Sequence, residues 1–402
     1  MSDTYDKKAD NGLTYRILIV HNRYQIPGGE DTVVQNECSM LKQHGHSVFL
    51  YERNNEELHS YGLKEKLSLP FETIYSHKTK EDLKQIIKEH QIDIVHVHNT
   101  LLVISPSVYD AAKECQVPVV QTIHNFRFIC PNGLLYRNGS VCEECLNHGL
   151  SFALKHQCYR DNFLETAIVC AMLKRVRTHH VLRFLPCITL TEFNRTKLLS
   201  SGLFSKELMY VKPNAVINRL PPLPYSERKN QIIFAGRLEE IKGILFLLSA
   251  WKPVDTNLRF LICGDGPLEE LCKTYVKEHQ LTNICFLGRI SHDELMEHLR
   301  ESKAMVFASN VYEGFPMSIA ESISCGTPVL APDFGNGGAM IIDGINGFHY
   351  TPDSIESFQS QLEVLLHHEF DTEAMSKTYN EEDNYNSLMN IYQEVIERNT
   401  HE

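Results

Sequence analysis

Two carboxylates and two cations in the C-terminal half of the chain have the spacing to hold a phosphorylated, hydroxyl-rich ligand. The carboxylates are Glu313 and Glu321, within EGFPMSIAESISCGTPV (Glu313–Val329). Pro316 suits the first turn of a helix, where its missing N–H costs nothing. Gly326 suits the C-terminal cap of a helix that runs to about Cys325. Glu313 then lies in the loop before this helix, and Glu321 just over one turn inside it. The junction offers two acidic side chains, free backbone N–H groups and the positive end of a helix. Such a site accepts hydroxyls and phosphates together. Two glutamates alone would read as a solvated helix start; the surrounding residues point to a binding site.

The cations are Arg237 and Lys242, in AGRLEEIKG (Ala235–Gly243). They follow a predicted strand and would stand near its carboxyl end. Arginine presents a planar fork to phosphate and lysine a compact charge. Together they could neutralise a leaving diphosphate as its charge develops. A lone Arg-x4-Lys would be read as two surface cations. Two weaker signals lie in the N-terminal half. Gly28 and Gly29, in HNRYQIPGGED (His21–Asp31), permit close backbone approach to a ligand. His124–Asn125 ends another predicted strand.

These residues need strands to position them. The runs Arg16–Val20, Ser47–Tyr51, Asp93–Val97, Val117–Ile123 and Cys187–Thr191 are nearly continuous in apolar residues. That pattern fits parallel strands covered on both faces. Amphipathic stretches such as Thr32–His44 and Lys80–His90 alternate with them. The segment Pro213–Asn230 breaks the rhythm with Pro213, Pro221, Pro222 and Pro224, and reads as a linker. The alternation then restarts with Gln231–Ala235, Arg259–Cys263, Ile284–Leu287, Met305–Ala308 and Pro328–Ala331. The expected fold class is α/β, as two doubly wound parallel-sheet domains. The expected division is 1–217, 218–380 and a C-terminal helix within 381–402 that packs back on the first domain. Ligands of such sheets bind beyond the carboxyl ends of the strands, so the two domains should share a cleft.

The remaining composition narrows the function. The 402 residues carry a formal net charge of -12, which argues against a general nucleic-acid binder. The N-terminal segment lacks the apolar run of a secretory signal, and no stretch approaches the roughly 20 apolar residues needed to span a bilayer. The expected location is the cytoplasm, where the twelve cysteines would be thiols or metal ligands. Cys130, Cys142, Cys145 and Cys158 form Cys-x11-Cys-x2-Cys-x12-Cys, a pattern that suits a structural zinc or, equally, packed thiols. Residues 167–185 mix apolar positions with Lys174, Arg175, Arg177 and Arg183. This reads either as a helix at an anionic membrane surface, at the inner face of the cell membrane, or as a core helix with a solvated basic face.

The arrangement of motifs resembles the family 4 retaining glycosyltransferases of bacterial cell-surface polysaccharide synthesis, which have the two-Rossmann GT-B architecture. The resemblance runs from the Gly-Gly loop through Glu-x7-Glu and Gly-Thr-Pro-Val to DGINGF (Asp343–Phe348). It implies that Arg237 and Lys242 hold a donor diphosphate, that Glu313 binds hydroxyls of the donor sugar, and that Glu321 binds the ribose. The backbone around Gly314, Phe315, Pro316 and Met317 would meet sugar and phosphate. Arg289 and Ile290 would border the base, Gly28 and Gly29 would approach the phosphates, and His124 would contact the transferred sugar. It further implies transfer to a glycan or lipid-linked acceptor with retention, by a same-face route that needs no catalytic metal. The chain departs from the family in having His124–Asn125 where His-Asp is common, and Ala339–Met340 after Gly337–Gly338 where Glu is common. A nucleotide-sugar epimerase would lack this Glu-x7-Glu context, and a non-catalytic partner subunit would lose the phosphate-binding cations.

Overall fold

The computed structural model describes residues 14–24, 29–254 and 256–401. Its strands are β1 (Arg16–Arg23), β2 (Ser47–Asn54), β3 (Ile94–Asn99), β4 (Val119–Ile123), the short β5 (Tyr136–Arg137) and β6 (Ser140–Val141), β7 (Cys187–Thr189) and β8 (Met209–Val211). A second series follows as β9 (Lys229–Ala235), β10 (Arg259–Cys263), β11 (Ile284–Gly288), β12 (Ser302–Val306), β13 (Val329–Pro332) and β14 (Gly347–Tyr350). They build two parallel six-stranded sheets in the orders β2-β1-β3-β4-β7-β8 and β11-β10-β9-β12-β13-β14, with β5 and β6 as a separate antiparallel pair. This is the GT-B architecture. The second order reverses between β9 and β12, the topological switch point at which doubly wound sheets open a crevice.

Two compact units divide the chain. One holds the residues up to Gln121 together with those from Asn390 onward; the other is Thr122–Met389. In the first, Ile17, Leu18, Ile19 and Val20 of β1 and Ile94, Val95 and Val97 of β3 are fully buried. The C-terminal helix Glu381–His401 brings Tyr392 into this unit, where its hydroxyl lies 2.7 Å from His96 Nδ1. In the second, Ile232 and Ile233 of β9, Phe260 and Ile262 of β10 and Ala304, Met305 and Val306 of β12 form a core with Leu247, Ile319, Ile323, Phe358 and Leu362 from flanking helices. The apolar runs in the sheet interiors are thus strands with both faces covered, whereas Ser47–Tyr51 and Ile284–Leu287, also expected to be buried, lie in the edge strands β2 and β11 and are only partly covered.

The differences from the sequence reading have local causes. The strand expected at Met305–Ala308 runs over Ser302–Val306, because Ser302 satisfies its polar group internally through its hydroxyl to His298 O at 2.6 Å. β8 escaped the reading for want of length, and β14 because DGINGF looks like a turn alone. That turn does form, with Asn346 Oδ1 accepting from Ile342 N at 2.7 Å, but it leads directly into β14.

Candidate active site

Arg237, Lys242 and Glu313 are positioned where the carboxyl ends of β9, β10 and β12 meet. Gly243 has φ +69°, and a Cβ there would stand 2.0 Å from Ala308 O, so only glycine lets the two loops touch. Next to it, the Ser309 hydroxyl and the Asn310 N–H both donate to Ile241 O, at 2.9 and 3.0 Å. These bonds fasten the loop after β12 to the loop after β9. The result is direct pairing of Lys242 Nζ with Glu313 Oε1 at 2.7 Å, both side chains being largely buried. Arg237 is more open, with Nε 3.8 Å from Glu239 Oε2. Its backbone is braced by Gly264, where a Cβ would meet Gly236 O at 1.9 Å, and by the bond from Leu238 N to Asp265 O at 2.8 Å. The Gly264–Asp265–Gly266 turn was not singled out from the sequence, although two glycines flanking a polar residue at a strand end is the signal that would have found it.

The segment carrying Glu313 is gripped from several sides. At Gly314 a Cβ would stand 1.8 Å from the carbonyl oxygen of His124, so the structure brings these two positions into backbone contact. The His124 side chain is half-buried. Asn194 Nδ2 donates to Gly314 O at 2.5 Å. The fully buried Asn336 donates through Nδ2 to Glu313 O and, at 3.1 Å, to Gly314 O, and its Oδ1 accepts from the Thr191 hydroxyl at 2.5 Å. Thr191 also caps the helix Glu192–Leu199 by accepting from Asn194 N. Sequence reasoning missed this network. Asn336 stands directly before Gly337–Gly338, and a buried amide beside two glycines is a signal of backbone gripping that attention to Ala339 obscured.

The predicted helix spans Met317–Ser324, with Cys325 at its C-cap and Gly326 next at φ +68°. Pro316 is the N-cap residue rather than part of the first turn, because its ψ of 96° is extended. Glu321 Oε1 lies 3.2 Å from Nε2 of His292, a residue the sequence reading passed over. His292 opens the helix His292–Glu301, whose start is fixed by a reciprocal capping box between Ser291 and Glu294. The bond to Glu321 raises the His292 pKa above its ordinary value against an opposing effect of burial. Arg289 is exposed, whereas Ile290 packs on the core. Phe315 meets the Tyr379 ring edge-on at 5.6 Å, and Met317 Sδ is 3.7 Å from Asn214 Nδ2. Gly29 opens the helix Gly29–Gln43 in the first unit, and Gly28 lies outside the described residues.

Two family models match this chain: Glycosyltransferase Family 4 over residues 27–148 and Glycosyl transferases group 1 over residues 220–383. The chain belongs to the family 4-like GT-B glycosyltransferases. The second match contains Arg237, Lys242, Glu313 and Glu321. Over 361 residues this glycosyltransferase is 23% identical to the amylovoran biosynthesis glycosyltransferase AmsD of Erwinia amylovora, covering 88% of this chain and 90% of that relative. Its fold is similar to the apo structure of the lipopolysaccharide outer core galactosyltransferase WaaB, with TM-score 0.63 at 17% identity over 93% of this chain and 98% of that one. It is also similar to HepE of Anabaena, solved with UDP and glucose, with TM-score 0.59 at 16% identity over 96% and 99%. At such identities the likeness is one of fold. Against the first three curated relatives the matched segments span 38%, 40% and 54% of the relative's length.

The four cysteines of this glycosyltransferase share one neighbourhood. Cys130 Sγ donates to Asn132 Oδ1 at 2.9 Å, while Cys145 packs with Ala153, Cys170 and Cys158 in a small apolar cluster. Burial raises the Cys130 and Cys158 thiols and pushes Cys145 up to about 12. Among the described residues the group that gathers three donor atoms within 4.8 Å of one another is Glu37, His96 and His98, and the cysteines form no such group. The basic segment 167–185, read as one helix, is interrupted at His179–His180. It divides into helices Phe163–Thr178 and Val181–Phe184, and Arg177 turns inward to donate to Phe128 O at 2.9 Å. Arg177 is half-buried, and burial lowers its pKa. Lys174, His179, His180 and Arg183 are exposed, as is Phe184. Among the described residues no helix is long and apolar enough to cross a membrane.

Proposed function

We propose that this glycosyltransferase is a retaining enzyme that moves a hexosyl-type sugar from a nucleoside diphosphate, uridine or guanosine, to a glycan or lipid-linked acceptor of a cell-surface polysaccharide. The observation that carries this reading is the Lys242–Glu313 pair beside the start of the helix Met317–Ser324. It puts a cation for a leaving diphosphate next to a carboxylate for sugar hydroxyls, at backbone N–H groups that favour anions. Residues 218–380 take the role of donor domain and 1–217 of acceptor domain. Arg237 and Lys242 hold the diphosphate, Glu313 the sugar hydroxyls and Glu321 the ribose. Phe315, Pro316 and Met317 line the approach, and Arg289 and Ile290 border the base.

In the reaction the bond from the sugar's anomeric carbon to the diphosphate oxygen breaks. The acceptor hydroxyl oxygen bonds to that carbon on the same face. The departing phosphate oxygen takes the acceptor's proton. Lys242 and Arg237 offset the negative charge that builds on the diphosphate, so this route needs no metal to hold it. His124 faces the transferred sugar near the reacting carbon. The naming of AmsD and WaaB for polysaccharide and lipopolysaccharide work, and the UDP and glucose of the HepE structure, favour this class of donor and acceptor.

The reading places the enzyme at the cytoplasmic face of a membrane. Exposed Lys174, Arg183 and Phe184 and half-buried Arg175 suit an anionic surface. Changing Lys174, Arg175 and Arg183 to Glu should abolish sedimentation with anionic vesicles; unchanged sedimentation would reject membrane binding. The function itself is tested by incubation with a panel of nucleotide sugars. Slow release of free sugar from one donor, and an acceptor product with the donor's anomeric configuration by NMR, are the expected results. Interconversion of the sugar without transfer, or inversion, would reject it.

A further inference from the structure

The first unit contains a buried polar cluster that the glycosyl-transfer reading does not use. His96 and His98 alternate along β3, so both rings leave the same face of the sheet. The helix Gly29–Gln43 covers that face and lowers Glu37 between them. Glu37 Oε1 stands 3.0 Å from His96 Nδ1 and 3.2 Å from His98 Nε2. All three side chains are at least nine-tenths buried, and their donor atoms lie within 4.8 Å of one another. The Tyr392 hydroxyl approaches the same His96 nitrogen to 2.7 Å. Behind His98, the His21 ring meets it edge-on at 6.4 Å, and His21 is itself held by Asp31 at 2.8 Å.

We propose that Glu37, His96 and His98 form a binding site for one borderline divalent cation of the zinc class, with the Tyr392 hydroxyl hydrogen-bonded beside it. Ligand atoms about 2.1 Å from one tetrahedral ion stand about 3.4 Å from each other, close to the spacing found between Glu37 and the two rings. Nδ1 of His96 faces both a carboxylate oxygen and a hydroxyl. Two imidazoles and one carboxylate favour zinc over magnesium or calcium, which take oxygen ligands. The rings bind as neutral imidazoles and need only shift their remaining proton to the far nitrogen. Glu37 and nearby Asp31 bring two negative charges to offset the ion. Being closed on all sides, the site is structural: it ties the helix Gly29–Gln43 and Tyr392 of the C-terminal helix to β3, and it fills as the chain folds.

The test uses the full chain, freed of any affinity tag and purified without chelator, with metal measured by mass spectrometry after incubation with Zn2+. The expected result is one equivalent that is lost in Glu37→Gln and in His98→Gln and kept in Cys142→Ser/Cys145→Ser. Wild-type protein loaded with Co2+ should show visible absorption without the near-ultraviolet sulfur-to-metal band that cysteine ligands give. This second measurement decides the matter if either variant fails to fold. Absence of bound metal, an equivalent lost only in the double cysteine variant, or Co2+ spectra of sulfur ligation alone would each overturn the proposal.

Discussion

Lys242 Nζ and Glu313 Oε1 meet at 2.7 Å although 71 residues separate them, so the cation and the carboxylate assigned to diphosphate and sugar are already partners before any donor arrives. Under the proposed function a donor divides them, its diphosphate taking the lysine as its hydroxyls take the glutamate. The interaction with lysine then strengthens as the leaving group gains charge. Lys242→Ala should therefore lower kcat by on the order of 10²-fold, with a smaller change in nucleotide affinity measured by calorimetry. An unaltered kcat would remove Lys242 from the reaction.

His292 holds Glu321, and the bond raises the histidine pKa. A group whose folded pKa is raised adds stability that is complete below its unfolded pKa and is lost as pH climbs through the folded one. The His292–Glu321 pair should thus strengthen the second unit in mildly acid solution and contribute nothing in alkali. Histidine ring signals followed by NMR against pH should show one residue titrating above about 6.5, the usual midpoint. Glu321→Gln should return that signal to the ordinary range. A midpoint indifferent to Glu321→Gln would mean the two side chains do not interact in solution.

At Gly314 the obstacle to a side chain is backbone, not a flexible neighbour, since the His124 carbonyl oxygen would be 1.8 Å from a Cβ. Gly314→Ala must displace either the Glu313 segment or the His124 loop. Misplacement by about 1 Å of a group that orients substrate costs roughly 10²-fold in rate. Steady-state kinetics should show that loss with the fold retained by circular dichroism. Full activity in Gly314→Ala would show that the two loops are not tightly apposed.

Arg228 is buried and donates to Leu223 O, Ser302 O, Cys325 O, Gly326 O and the Thr327 hydroxyl. Burial pulls its pKa down to about 10. Its guanidinium closes the C-terminal end of the helix that carries Glu321. Arg228→Leu leaves several buried carbonyls without a donor, at about 1–3 kcal/mol for an unsatisfied group. Chemical denaturation should find the variant weaker by at least about 3 kcal/mol; a loss within experimental scatter would contradict the described bonding.

Much of this was legible in the amino acids. The continuous apolar strands announced two parallel sheets, because burial on both faces leaves no alternation. Glu313, Glu321, Arg237 and Lys242 were visible because glycines and proline mark the strand ends around them. What stayed hidden depended on distant partners. Nothing near His292 says that it will meet Glu321, and the buried role of Asn336 needs Thr191 and Asn194, which lie more than 140 residues away. Arg177 looked like surface charge because its spacing matches that of Lys174; only the carbonyl of Phe128 distinguishes the inward cation from the outward one.

The Asn336 network bears on how such enzymes can be recombined. Thr191 and Asn194 lie before the proline-rich segment, yet they hold Asn336 and the carbonyl of Gly314 beyond it. A chimera joined at that segment would inherit an amide cradle from one parent and the loop it supports from another. Exchanging donor preference between relatives would then require a crossover upstream of residue 191, so that cradle and loop travel together.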